Sequence, residues 1–135
     1  RRAEEKKREE LKKTTYTDNG NGTVTQGTGL MWQKEDDNKE RTWDDAMTYC
    51  KGLSLGGYTD WRLPNKEELE SIIDKGNRPT INTTYFSNTK KGYYWSSTAH
   101  PAGSCCAWPV NFSGGGVNYV AKGYDNYVRC VRGGQ

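Results

Sequence analysis

The residues with the clearest chemical potential are cationic. Arg1, Arg2, Lys6, Lys7, Arg8, Lys12 and Lys13 crowd into the first thirteen positions, and Lys90, Lys91 and Lys122 stand further along. Ammonium and guanidinium groups only donate, and against sulfate they form charge-assisted hydrogen bonds. The first thirteen residues hold seven basic side chains and four glutamates, so they carry the whole formal net charge of +3; the remainder of the 135 residues is neutral. An anionic polymer fits such a distribution, through weak, salt-sensitive contacts that gain strength when several copies act together. The competing reading is a solvated helical linker, the usual fate of a run of mixed charge. Nucleic acid would also accept a basic arm, but the cysteine pattern argues against it as the natural partner.

Four cysteines occur, Cys50, Cys105, Cys106 and Cys130, with a single histidine, His100. Their spacing fits no zinc pattern. Cys50 falls on an expected helix and Cys130 in the last apolar strand. A bridge between them would close a loop of about 80 residues, worth roughly 4–5 kcal/mol by chain entropy, and would suit an exported, secreted or cell-surface domain. Two buried free thiols are the alternative. For the adjacent Cys105 and Cys106 a vicinal disulfide, free thiols and separate pairing all stay open, because a vicinal bridge is strained.

Other polar groups have plainer readings. Asp18-Asn19-Gly20-Asn21-Gly22 looks like a calcium loop, but glycines stand where side-chain ligands are needed and no bidentate glutamate follows, so a turn is expected. Asp44-Asp45 sits at a helix start, where carboxylates favour the helix dipole. His100 has no evident carboxylate partner and Ser96-Ser97 no nearby base. No enzymatic activity, cofactor or metal is therefore expected.

The elements that must position these groups come from patterning. Arg1–Lys13 reads as a helix with Glu4→Arg8 and Glu9→Lys13 pairs, docked on the domain, bundled with other copies, or solvated. Strands are expected within residues 16–33 around the Asp18–Gly22 turn. Thr42 to Gly52 reads as a helix capped by Thr42, with Asp45 at the reciprocal position. Asn65 to Asp74 reads as a second helix, with an Asn65/Glu68 capping box, Leu69, Ile72 and Ile73 on one face and Gly76 as C-cap. Before it lies Asp60-Trp61-Arg62-Leu63-Pro64, an aromatic-anchored turn in which Arg62 is expected to bond backbone or carboxylate. A polar loop from Asn77 to Gly92 precedes strands at residues 93–97, 107–112, 116–120 and 127–132, joined in part by the Ser113–Gly116 turn. Trp108, Val110 and Phe112 share one face; Val128 and Cys130 oppose Tyr127, Arg129 and Val131. Strands, two helices, then an antiparallel sheet make an α+β domain, residues 16–135, behind a charged arm, residues 1–15. Hydrophobic residues make up only 32% of the chain, yet five Trp and nine Tyr can build a small core, since each buries much area. No apolar run approaches the ~18–20 residues of a membrane span. The chain starts at Arg1 without a signal-peptide pattern and reads as part of a longer protein.

Gly22-Thr23-Val24, Thr28 to Trp32, Thr42-Trp43, Ala46, Tyr49-Cys50, Gly57-Tyr58, Asp60 to Pro64, Glu68-Leu69, Tyr94 to Thr98 and Val128 to Arg132, in that order, resemble the signature of the DUF1566 domain. The resemblance covers about residues 16–133. It implies a C-type lectin-like fold, two helices packed on antiparallel sheets, akin to formylglycine-generating enzymes and the variable proteins of diversity-generating retroelements. It further implies a trimeric, surface-exposed adhesin module that binds sulfated glycosaminoglycans in host attachment or biofilm formation, the basic residues named above being the candidate contacts. The chain departs from calcium-dependent sugar lectins: Leu63-Pro64-Asn65 and Asp125-Asn126 supply no cluster of carboxylates for a hard cation. Two further readings remain. One is recognition of a protein by a variable face around Asn118-Tyr119 and Tyr124-Asp125-Asn126-Tyr127, since Tyr and Asn make adaptable contact surfaces. The other is an oxidase of the formylglycine-generating type, which would need Cys105-Cys106 as a committed pair.

Overall fold

The computed structural model describes residues 2–101, 105–114 and 119–133. Helix α1, Arg2–Lys13, comes first; strands β1 (Tyr16–Asp18), β2 (Thr23–Gln26) and β3 (Met31–Gln33) follow. Helices α2 (Trp43–Lys51) and α3 (Lys66–Glu70) precede strands β4 (Tyr93–Ala99), β5 (Cys106–Asn111), β6 (Val120–Ala121) and β7 (Val131–Arg132). The class is α+β, with two antiparallel sheets ordered β1-β2-β3-β7 and β4-β5-β6. Of the expected 116–120 strand, Val120 falls in β6; Gly116–Asn118 lie outside the described residues, as does part of the Ser113–Gly116 turn. The final strand is reduced to Val131–Arg132; before it, Tyr127 forms an isolated parallel bridge with Tyr94 and the Cys130 carbonyl accepts from Gln33.

Local chemistry explains most boundaries. The β1–β2 turn uses positive φ at Gly20 and Gly22, and Asp18 accepts from the Gly20 N–H at 3.0 Å while pairing with Lys34 at 2.6 Å. Its carboxylate thus closes the turn and crosses to β3. Thr42 caps α2 by accepting from the Asp45 N–H at 3.4 Å; this bond runs one way, without the reciprocal one. At α3 the capping box is complete, Asn65 accepting from Glu68 N–H at 2.8 Å and Glu68 from Asn65 N–H at 2.9 Å.

Helix α3 ends at Glu70, with Ser71 as C-cap, instead of running to Asp74. Tertiary pairing overrides the periodicity. Ile73 bridges Ile81, and Asp74 donates its N–H to Thr80 at 2.7 Å. Leu69 and Ile72 are buried as the spacing predicts. The 77–92 loop is less polar in effect than in composition: Ile81 and Phe86 are fully buried within it.

Two hydrophobic cores flank the joint between the sheets. One gathers Trp32, Leu69, Ile81, Phe86, Tyr94 and Phe112; the other gathers Cys50, Trp61, Leu63, Trp95, Val128 and Cys130. The Cys50–Cys130 disulfide ties α2 to the last segment. The expected alternation holds there, with Val128 and Cys130 in one core and Val131 in the other. Each large apolar side chain so buried contributes about 1.5–3 kcal/mol.

The Asp60–Leu69 stretch is a strut between them. Arg62 exchanges both backbone bonds with Val131, at 2.8 and 2.9 Å. Its guanidinium grips Glu68 at 2.8 and 2.7 Å and donates to the Gly133 carbonyl at 2.7 Å. Burial opposes ionisation of Glu68, but Arg62 and the Asn65 N–H outweigh it and hold the carboxyl below its ordinary value of 4.5. The folded state therefore binds fewer protons than the unfolded one, and the stabilisation is full above that ordinary value and lost as pH falls through the folded one. Glu68→Gln should cost roughly 1–3 kcal/mol at neutral pH and flatten the acid side of a melting-temperature profile between about pH 5 and 3. An unchanged profile would remove this pair from the account.

Candidate functional site

The arm forms as expected and none of its described residues is buried. Glu4 and Glu5 in its first turn and Lys12 and Lys13 in its last complement the helix dipole. Its ion pairs are Glu9–Lys12 at 3.8 Å and Glu10–Lys13 at 3.6 Å, spaced i,i+3 in place of the expected i,i+4. Arg2, Lys6, Lys7 and Arg8 form no ion pair among the described residues; Arg1 lies outside them.

Both positions weighed for the arm are partly realised. It stands in solvent along its length and is anchored at its last turn. Fully buried Gln26 donates to the Lys13 carbonyl at 3.0 Å and to Ser71 at 3.2 Å, and accepts from Trp32 Nε1 at 2.9 Å. Gly27 donates its N–H to Thr15 at 2.8 Å. A Cβ at Gly27 would stand 2.6 Å from the Lys12 carbonyl, so only glycine admits the arm this closely. A cleft of about 360 Å³ between arm and α3 is lined by Glu10, Glu67 and Glu70 beside Lys13. That end of the arm is electrostatically poor for an anion, so its cationic character resides toward Arg2–Arg8.

The other predicted cations fare unequally. Lys91 is exposed. Lys90 is committed inward: its Nζ meets Asp36 at 2.9 Å and the Asn88 carbonyl at 2.7 Å. Lys122 lies over the Trp43 ring at 4.3 Å. The three therefore do not form one patch with equal freedom. Asp36 is the hub of a buried polar cluster that sequence reasoning missed. Tyr94 donates to it, and Arg129, with its side chain fully buried, stands 3.7 Å away. Arg129 also donates to the Gln33 carbonyl at 2.6 Å and to Thr89 at 2.9 Å, with Phe86 at 5.1 Å from its guanidinium carbon. Burial pushes the Arg129 pKa down and the Tyr94 pKa up. Period-2 patterning placed Arg129 opposite Cys130, but nothing local named its partner, 93 positions earlier in the chain.

A second group collects at the open end of the β4-β5-β6 sheet. Register sets Ala99 opposite Ala107 and Ala107 opposite Val120, which brings His100, Trp108 and Tyr119 together. Their ring centroids lie 4.1 Å apart for His100–Tyr119, 5.5 Å for Trp108–Tyr119 and 5.9 Å for His100–Trp108. Lys66, the first residue of α3, puts its Nζ 5.1 Å from the Trp108 centroid. Trp108 was expected to extend the Val110–Phe112 face into the core, yet it is half-buried while those two are fully buried. The opposite face of β5 stays in the core there, with Ala107 fully buried, and β4 shifts register between Trp95 and Ala99. Cys105 and Cys106 are bonded to each other, which selects one of the three states left open.

The family described as the Lcl C-terminal domain matches residues 22–132. No curated protein matches the chain. The matched span takes in β2 to β7 with both domain helices, and leaves α1 and β1 outside it.

Removing one partner of a buried ionic cluster leaves the others desolvated and unpaired. Asp36→Asn should lower unfolding stability by about 3–5 kcal/mol, read as a lower urea midpoint at neutral pH. A shift below about 0.5 kcal/mol would show that the cluster is not held by charge.

Proposed function

The chain belongs to the Lcl C-terminal domain family, of adhesin-type surface or secreted modules, and from that premise we propose that it binds sulfated glycosaminoglycans through lysine and arginine side chains. It resembles the C-terminal domain of the Legionella collagen-like adhesin. Among the described residues no helix is long and apolar enough to cross a membrane.

The observation that carries the reading is the exposed first half of α1, where Arg2, Lys6, Lys7 and Arg8 form no ion pair among the described residues, on a chain whose remainder past Lys13 is neutral. Sulfates stay ionised, and cationic side chains with no internal acceptor are free to take them as charge-assisted partners. Lys91 and Lys122 are auxiliary contacts in this reading, while Lys90 is reserved for Asp36. Interleaved glutamates limit what one arm can hold. Assembly into a trimer would gather three arms and raise avidity without any new contact. The division into an arm, residues 1–15, and a lectin-like domain, residues 16–135, belongs to the same proposal.

A second reading, recognition of a protein partner, is favoured by the exposure of Tyr119 at 46% and Tyr124 at 65%. It is weakened at Asn126, which is 8% exposed and bonds to Arg41 at 2.8 and 2.9 Å.

The test is heparin binding at two ionic strengths. Wild-type affinity should fall steeply as salt rises through the range where the Debye length drops below about 10 Å. The triple variant Lys6→Glu, Lys7→Glu, Arg8→Glu should lose roughly 1 kcal/mol per site and most of the salt dependence. Binding that survives both salt and charge reversal would take the arm out of the site. Light scattering on the same samples reads the oligomer.

A further inference from the structure

We propose that His100, Trp108 and Tyr119, with Lys66 above Trp108, form a stacking subsite for one pyranose ring of an anionic polysaccharide. The inference rests on the glycosaminoglycan reading and adds a site that recognises the sugar ring itself.

The first support is that these rings do not belong to either hydrophobic core. Aromatic side chains are costly to leave in water, and the other tryptophans, Trp32, Trp43, Trp61 and Trp95, pack in or against a core. Trp108 instead packs against two neighbours on the outer end of a sheet, with Tyr119 46% exposed.

The second support is register. His100, Trp108 and Tyr119 come from three adjacent strand lines on one face, as the Ala99–Ala107 and Ala107–Val120 pairs require. Trp108 is held by the paired sheet, and His100 and Tyr119 each stand one residue beyond a paired position, which limits the entropy lost on contact. Cys106, two residues before Trp108 on the same strand, falls on the same face by alternation and is bonded to Cys105. Its backbone is held on both sides, accepting from the His100 N–H at 2.9 Å and pairing with Ala121.

The third support is charge. Lys66 lies 5.1 Å from the Trp108 centroid and makes no ion pair among the described residues. A pyranose offers a face of axial C–H groups, apolar and slightly positive at hydrogen, which suits the negative face of an aromatic ring. With the sugar face on the exposed Tyr119 ring, its sulfate or carboxylate projects from the sugar edge, where the Lys66 ammonium over the neighbouring Trp108 can meet it. Rings for the sugar face and an ammonium for its edge charge select an acidic sugar over a neutral one.

The platform and the arm differ in physics, and the experiment uses that. Stacking is insensitive to salt, while the arm's long-range attraction is screened. A heparin-derived hexasaccharide is titrated into the full chain by tryptophan fluorescence at low and high salt. Wild type is compared with Trp108→Phe, Tyr119→Ser and Lys66→Gln, each first checked for an unchanged melting temperature. Trp108→Phe keeps a ring and reports the origin of the signal; Tyr119→Ser changes an exposed side chain. The expected result is that the fluorescence change disappears in Trp108→Phe. Tyr119→Ser should weaken binding about tenfold at both salts, the size of a lost aromatic anchor, and Lys66→Gln should weaken it mainly at low salt. Wild-type affinity in all three variants, with binding abolished only by charge reversal in the arm, overturns the subsite and leaves the glycosaminoglycan reading standing. No hexasaccharide binding by wild type overturns both. Tighter binding of a single-stranded oligonucleotide in competition with the hexasaccharide would assign the stacking surface to bases and also overturn it.

Discussion

The guanidinium of Arg129 constrains the rest of the structure. A fully buried cation is tolerated only when carboxylate and carbonyl partners surround it. Here they come from three distant segments: Gln33 at the end of β3 with Asp36 just after it, Thr89 at the end of the long loop, and Tyr94 donating to Asp36 from β4. Bonding the two terminal nitrogens of Arg129 therefore brings the start, middle and end of the domain together, while its buried Nε finds no hydrogen-bond partner among the described residues. The neighbouring residues repeat the arrangement. Cys130 is bonded to Cys50, its N–H donates to Gln33 Oε1 at 2.9 Å, and Val131 pairs with both Trp32 and Arg62. The last few residues stitch two small sheets into one body.

This arrangement assigns charges of similar appearance to different duties. Arg62, Arg129 and Lys90 all face carboxylates inside the domain and hold it together. Arg132 pairs with exposed Asp60 at 2.6 Å, a surface contact of modest worth. The cations of the arm between Arg2 and Arg8 have no such partner among the described residues, and Lys66 has only the face of Trp108. These are the cations that the internal ion pairs leave over. In a domain with so little aliphatic content, the polar network substitutes for a larger core, and its members are unavailable for binding.

Much of this was legible locally. The capping box at Asn65 and Glu68, the Thr42 cap, the glycine turn at Asp18–Gly22 and the alternation of Val128 to Val131 are all short-range patterns, and each is present. The Cys50–Cys130 bridge, weighed in the sequence against two buried free thiols, is present. The readings that needed correction depended on partners far away in sequence. α3 stops early because Ile73 pairs with Ile81. The 77–92 loop fills a core because Phe86 packs against Trp32 with ring centroids 6.4 Å apart. Lys90 turns inward because Asp36, 54 positions before it, is buried beside it.

The sequence by itself determined the class, the order of elements, the charged arm and the family to which residues 22–132 belong, because capping, turn and alternation chemistry act within a few residues. Only the tertiary structure decided which cations are spent and which are left. It also decided that Trp108 stands outside both cores, among His100, Tyr119 and Lys66. The physical reason is the same in both cases. A buried charge and a cross-strand ring are defined by what stands opposite them, and strand pairing and burial choose that neighbour from residues that no local pattern connects.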